Sequence, residues 1–236
     1  MQLNYKNQIL SSIPWISILS FIFFIALFLA YPLIDITISS LFFYHNRFPL
    51  QMSENSLIKI IDHLIEFGSV ALWIIVIGGL WIKELTVNGF KNFWGIGMKR
   101  RLIYVSVVGL FGSITMVRIV KWYIMRCRPM YVDIFGGPAA FTEVWTRNTS
   151  FYNAKCLSFV SGHAAIGFLL FSLAFLYPAS DLRRKKYILL SISIGGLFGF
   201  IRIIQGQHFI SDVIFSGYIV YFPALILSYL LQPYKN

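Results

Sequence analysis

Val213-Ile-Phe-Ser-Gly-Tyr-Ile-Val-Tyr-Phe-Pro-Ala-Leu-Ile-Leu-Ser-Tyr-Leu-Leu-Gln-Pro-Tyr234 carries no charged side chain from end to end. A helix that crosses a bilayer needs about 20 mostly apolar residues, so this stretch reads as a transmembrane helix. The whole chain has the same character. Its 236 residues are 58% hydrophobic, 18% aromatic and only 12% charged, and its mean hydropathy is +0.72. Soluble domains carry about 25% charged residues. The net charge of +11 does not mark a nucleic-acid binder, because the basic residues fall in short stretches between apolar runs and not on a polar surface. The 23 Phe and 13 Tyr exclude a disordered basic tail.

Working back from residue 213, the other uncharged runs are Tyr187–Ile201, Phe159–Ser180, Leu102–Val117, Phe67–Ile82 and Asn7–Ile34. Three are short and must borrow charged flanks, which a membrane boundary tolerates. The expected fold is all-α, a bundle of about six transmembrane helices in one domain, residues 1–236, since neither an internal repeat nor a linker divides the chain. The first run follows a single Lys6 and lacks a small-x-small cleavage site, so it is expected to stay as a signal-anchor. Loops holding Lys83, Lys91, Lys99, Arg100 and Arg101, and Arg183, Arg184, Lys185 and Lys186, are cytoplasmic by the positive-inside rule. Both termini then lie in the cytoplasm and the odd-numbered loops face outward.

That topology gathers the unusual polar residues at one membrane face. Immediately before the last run stands Arg202-Ile-Ile-Gln-Gly-Gln-His208-Phe-Ile-Ser-Asp212. His208 and Asp212 are spaced to touch across one helix face. The pair is either a helix-start histidine with its capping carboxylate or an imidazole made basic by a neighbour. The third run ends in Arg118, Lys121, Arg126, Cys127, Arg128 and Pro129. A basic collar on the outer side runs against the charge rule, so an anion is expected to balance it, and phosphate fits. Ser161-Gly162-His163 opens the fourth run as a candidate anion nest, with His163 placed to give a proton. The alternative there is an N-cap serine beside an incidental histidine. His45 and His63 stand alone and read as structural.

The outer loops add less chemistry. Leu41-Phe-Phe-Tyr44 suits an interfacial helix. The stretch from Met130 to Leu157, with Phe135, Phe141 and Trp145, suits a lid at headgroup level. Cys127 and Cys156 flank that loop, either as a disulfide in an oxidising compartment or as two free thiols. The nine carboxylates are scattered without metal-ligand spacing, so no metal and no other cofactor is expected.

Lys121-x6-Arg128-Pro129, Ser161-Gly162-His163 and Arg202-x5-His208-x3-Asp212 stand in order. Together they resemble the type 2 phosphatidic acid phosphatase family of membrane lipid phosphatases, over residues from about 100 to 232. Two positions depart from its pattern: Val160 where many members have Pro, and Ile201 where they have Ser. The resemblance implies His208 as nucleophile, Asp212 as its orienting base and His163 as general acid. It implies Lys121, Arg128, Ser161, Gly162 and Arg202 as the phosphate cradle. Phe135-Gly-Gly137 and the surroundings of His163 and His208 look like those of bacterial lipid A 4′-phosphatases. That implies a Gram-negative inner membrane, a periplasmic site and a membrane lipid as partner. Undecaprenyl pyrophosphate and phosphatidylglycerophosphate remain alternative substrates, and a headgroup transporter is the non-enzyme alternative. Oligomeric state is not legible.

Overall fold

The computed structural model describes residues 15–49, 60, 64, 69–88, 96–149 and 156–233, and among them no strand forms. The chain divides into two compact units, Met1–Ile34 and Asp35–Asn236. The first contains α1, Trp15–Ala30, whose side chains are almost all aliphatic or aromatic. The part of the expected first run before residue 15 lies outside the described residues, as do Asp62, His63 and Glu66.

The second unit begins in α2, Ile34–Ser40, and continues with α3, Ser69–Asn88. Next come α4, Ile96–Val108, a π-helical turn, Gly109–Met116, and α5, Val117–Ile124. Short α6, Gly162–Phe168, and α7, Phe171–Ala174, precede the long α8, Leu182–Ile204, and α9, Ile210–Leu231. Among the described residues, three helical stretches are long and apolar enough to cross a membrane: Met98–Tyr131, Leu182–Ile204 and Ile210–Leu231. A fourth appears if α1 and α2 count as one broken span. The protein is an all-helical, multi-pass membrane protein.

The expected fourth span is interrupted. Leu169 N–H bonds to Ile166 O and Ser172 N–H to Leu169 O, each reaching three residues back, so the helix tightens and breaks there. The short fifth run is lengthened in the opposite way. α8 takes in Leu182–Lys186 as its first turn, started by Asp181, whose carboxylate accepts the Arg183 N–H at 2.8 Å as an N-cap does.

Glycine sets how closely α8 approaches its neighbours. A Cβ on Gly167 of α6 would lie 2.7 Å from Gly195 Cα, and one on Gly199 would meet Val213 of α9 at 2.1 Å. Small residues permit such approach between membrane helices. Across α9, which carries Pro223, Tyr104 of α4 donates its hydroxyl to Ala224 O at 2.9 Å.

At the end of the bundle that carries the motifs, the connecting segments form a packed shell. At Leu41–Tyr44, where the sequence spacing does not decide for or against an interfacial helix, the chain turns and Tyr44 bridges Arg47. Phe42 and Phe43 pack against a buried cluster of Phe48, Cys127, Val132, Phe135, Ala139, Cys156 and Phe209. In the described part of the 130–157 loop, Phe135 is buried while Trp145 remains partly exposed. Phe135 stacks edge-on with Phe43 and Phe48, Phe141 meets Phe209, and Trp145 meets Phe159 and Phe215. For Phe135, aromatic burial outweighs the interfacial preference that the sequence suggested. Cys127 and Cys156 are joined as a disulfide, closing the shell from both sides of the loop.

Gly206 sits at the bend between α8 and α9 with φ +65°, and a Cβ there would lie 2.4 Å from the Phe48 ring. Both the left-handed backbone and the contact require glycine. Gly206→Val is expected to cost at least about 2 kcal/mol, read as a lowered unfolding temperature in detergent. An unchanged temperature would contradict this account of the bend.

Candidate functional site

His208 lies in the turn after α8 and just before α9. Arg202 O accepts both the Gln207 and His208 N–H groups, at 3.0 and 3.3 Å, so the carbonyl of a motif arginine shapes the turn that holds the histidine. The His208–Asp212 contact is therefore made across a helix start and not along a helix face. His208 Nδ1 lies 3.4 Å from Asp212 Oδ2 and 3.3 Å from Ser158 Oγ. Ser158 Oγ donates to the same carboxylate oxygen, and Phe209 N–H donates to it at 2.9 Å. Asp212 thus caps α9 and faces the imidazole at once; the two readings open in the sequence are the same contact. With Nδ1 occupied on this side, Nε2 is the ring nitrogen left to react.

Burial is the first cause that holds the His208 imidazole well below its usual range, followed by the charges of Lys121, Arg202, Arg128 and His163. Asp212 would pull the other way, but its Oδ1 is shared with Arg126 Nη1 at 3.0 Å. The ring is thereby kept neutral, the form in which an imidazole can accept a proton or attack. The unfolded chain takes up this proton near pH 6.5 while the folded protein does not, so folding gains stability as pH rises to about 6.5 and is level above. The unfolding temperature should fall between pH 7.5 and 5.5, and His208→Asn should make that fall smaller. An unchanged pH slope in His208→Asn would refute the buried neutral histidine.

The cations come from three elements. Lys121 is on α5, Arg128 follows it, and Arg202 ends α8. Arg128 Nη1 donates to Gln207 Oε1, and Arg202 Nη1 donates to Gln205 Oε1 at 2.8 Å. A neutral amide oxygen fixes a guanidinium without cancelling its charge, as a carboxylate would. Both glutamines lie inside the third motif and have no role in the sequence reading. Ser161 is the N-cap of α6: its Oγ accepts Ala164 N–H at 3.4 Å, and its own N–H is bonded to Asp212 O at 3.1 Å. The Ser161 N–H is thereby committed to the protein, which leaves Gly162 as the nest residue facing open space.

That space is a cavity of about 810 Å³ with two kinds of wall. Its lining combines Arg118, Lys121, Arg128, Gly162 and His163 with apolar residues that include Trp73, Ile114, Val117, Ile166 and Leu169. Ser161, Arg202, His208 and Asp212 are buried and do not form its wall. The π-helical turn contributes Gly109, Ser113 and Ile114 to the wall, and such turns recur at functional sites. A pocket whose lining is both cationic and apolar suits an amphiphile with an anionic head. Among the described residues, no group of three or more His, Cys, Asp or Glu side chains is arranged to hold a metal. His45 is exposed, and Asn148 is buried with its Nδ2 3.3 Å from Cys127 Sγ.

A bundle of apolar helices with three phosphate-type motifs converging at one end defines an integral-membrane phosphatase. Residues 101–235 match the PAP2 superfamily, and the chain belongs to it; it is a phosphoric monoester hydrolase of membrane lipids. It is 29% identical over 212 residues to the lipid A 4′-phosphatase of Francisella tularensis subsp. novicida (strain U112), covering 89% of this chain and 91% of that one. It is 35% identical over 134 residues to the lipid A 4′-phosphatase of Rhizobium leguminosarum, covering 54% of each. No solved structure gives a significant match.

Proposed function

We propose that the protein removes a phosphate monoester from lipid A, at the 4′ position, at the periplasmic face of a bacterial inner membrane. The observation that carries the chemistry is the His208 imidazole, held through Nδ1 by Asp212 and Ser158 within the field of Lys121, Arg128, Arg202 and His163. The substrate and the membrane face rest on the two relatives' names and on the loop charges.

The phosphate enters between Lys121, Arg128 and His163. His208 Nε2 attacks phosphorus, the bond from phosphorus to the sugar oxygen breaks, and His163 gives its proton to the departing oxygen. The imidazole ring gains positive charge in this step, and Asp212 offsets it. Water then attacks the phosphohistidine, His163 takes its proton, the P–N bond breaks and phosphate leaves. Lys121, Arg128 and Arg202 stabilise the oxygens on which charge collects, which supplies most of the rate gain in phosphoryl transfer. The apolar lining residues Trp73, Ile114, Val117, Ile166 and Leu169 take the acyl chains.

The test is phosphate release from lipid A, undecaprenyl pyrophosphate and phosphatidylglycerophosphate in detergent, with mass analysis of the lipid A product. Loss of the 4′ phosphate with the 1 phosphate retained is expected. Loss of the 1 phosphate, or faster release from either other lipid, would overturn the assignment of substrate.

A further inference from the structure

Arg126 heads the fully buried side chains in size, and it belongs to none of the three motif roles. Its guanidinium is spent on four contacts. Nε donates to Thr142 O at 2.9 Å, Nη1 to Ser211 Oγ at 2.8 Å and to Asp212 Oδ1 at 3.0 Å, and Nη2 to Asp35 Oδ2 at 2.8 Å. The rings of Phe209 and Phe141 lie at 4.2 and 5.4 Å from Cζ. Asp35 is equally buried and comes from α2, outside the 101–235 stretch that matches the family. It also accepts from Ser211, through N–H at 3.0 Å and Oγ at 2.6 Å. Three donors aim at its two oxygens, and the Arg126 guanidinium among them offsets the cost of burying a charge there.

We infer that Arg126 and Asp35 are positioning residues for the reaction, setting the charge and the aim of Asp212, and that Asp35 completes the site from outside the motif-bearing part of the chain. This rests on the phosphohistidine reading above. Two carboxylates and one guanidinium in contact carry one net negative charge in a water-poor interior. That charge is what Asp212 offers to His208 when the ring becomes cationic. Take Asp35 away and Arg126 cancels Asp212 alone. Take Arg126 away and two buried carboxylates face each other, a state that favours protonation of one of them. A triad kept only for packing would be indifferent to how the charge is counted, since buried ion triads are replaceable by apolar groups without loss of fold.

The experiment compares kcat and KM of Asp35→Asn, Asp35→Glu, Arg126→Gln, the double variant Asp35→Asn with Arg126→Gln, and His208→Ala. Each rate is normalised to monodisperse protein in detergent. Asp35→Asn should lower kcat about tenfold or more with KM within about threefold, and Asp35→Glu should recover most of the loss. Arg126→Gln should lose about a hundredfold or more, and the double variant, with the net charge restored, should regain about tenfold over it. A double variant no faster than Arg126→Gln, or Asp35→Asn within threefold of wild type, overturns the inference. Where Arg126→Gln gives no monodisperse protein, the Asp35→Asn and Asp35→Glu comparison decides: equal kcat in the two refutes the role. Activity retained in His208→Ala would instead sink the underlying mechanism, whatever Asp35 does.

Discussion

His208→Ala is expected to leave an inserted, folded protein that releases phosphate at less than about a hundredth of the wild-type rate. Loss of a covalent step of this kind raises the barrier by about 3 kcal/mol or more. The fold should survive because the partners of His208 keep one another. Asp212 still accepts from Phe209 N–H and from Arg126, and Ser158 still donates to it. The signature is in the split of constants. Lys121, Arg128 and Arg202 remain in place, so KM should stay near wild type while kcat collapses. A variant that keeps more than about a per cent of kcat would remove His208 from the reaction path.

Asp212→Asn should cost both activity and stability, for separable reasons. The carboxylate receives donors on both oxygens: Arg126 on Oδ1, and Ser158 and Phe209 N–H on Oδ2. Whichever way an asparagine amide turns, its NH2 group faces a donor, and Arg126 loses one of two carboxylates. Breaking a buried ion pair from one side costs about 3–5 kcal/mol, visible as a lower unfolding temperature. In the folded fraction, kcat should fall by about 10³–10⁴, as when the carboxylate behind a catalytic histidine is made neutral. The wild-type rate per folded molecule would show that Asp212 only caps α9.

Much of the fold and of the site could be read from local signals. The uncharged run at 213–234 becomes α9, Ile210–Leu231. The His208–Asp212 spacing marks a real contact. Arg118, Lys121 and Arg128, conspicuous as positive charge at the face that the loop charges mark as outward, line one cavity with His163. What escaped was not local. Arg126 and Asp35 are 91 positions apart, and each looks ordinary in its own segment: one an unassigned residue between motif positions, the other a lone acid at a helix start. Ser158 stands three residues before the second motif, yet nothing in the sequence there says that it meets Asp212, 54 residues later. The break at Leu169 was invisible for a different reason. No proline marks it, and the Gly167–Gly195 approach that accompanies it is a matter of tertiary packing. The aromatic loop misled because Phe and Trp suit both a membrane interface and a buried shell, and periodicity alone does not choose between them.

The central claim is that phosphate passes through His208. Purified protein mixed with its lipid substrate, quenched in alkali within one turnover and cut into peptides, tests it directly, because a P–N bond survives alkali and is lost in acid. The phosphoryl mass is expected on the peptide containing His208, absent after acid treatment and absent in His208→Ala. Phosphate found on another side chain, or turnover with no trapped phosphopeptide at any quench time, would contradict the account.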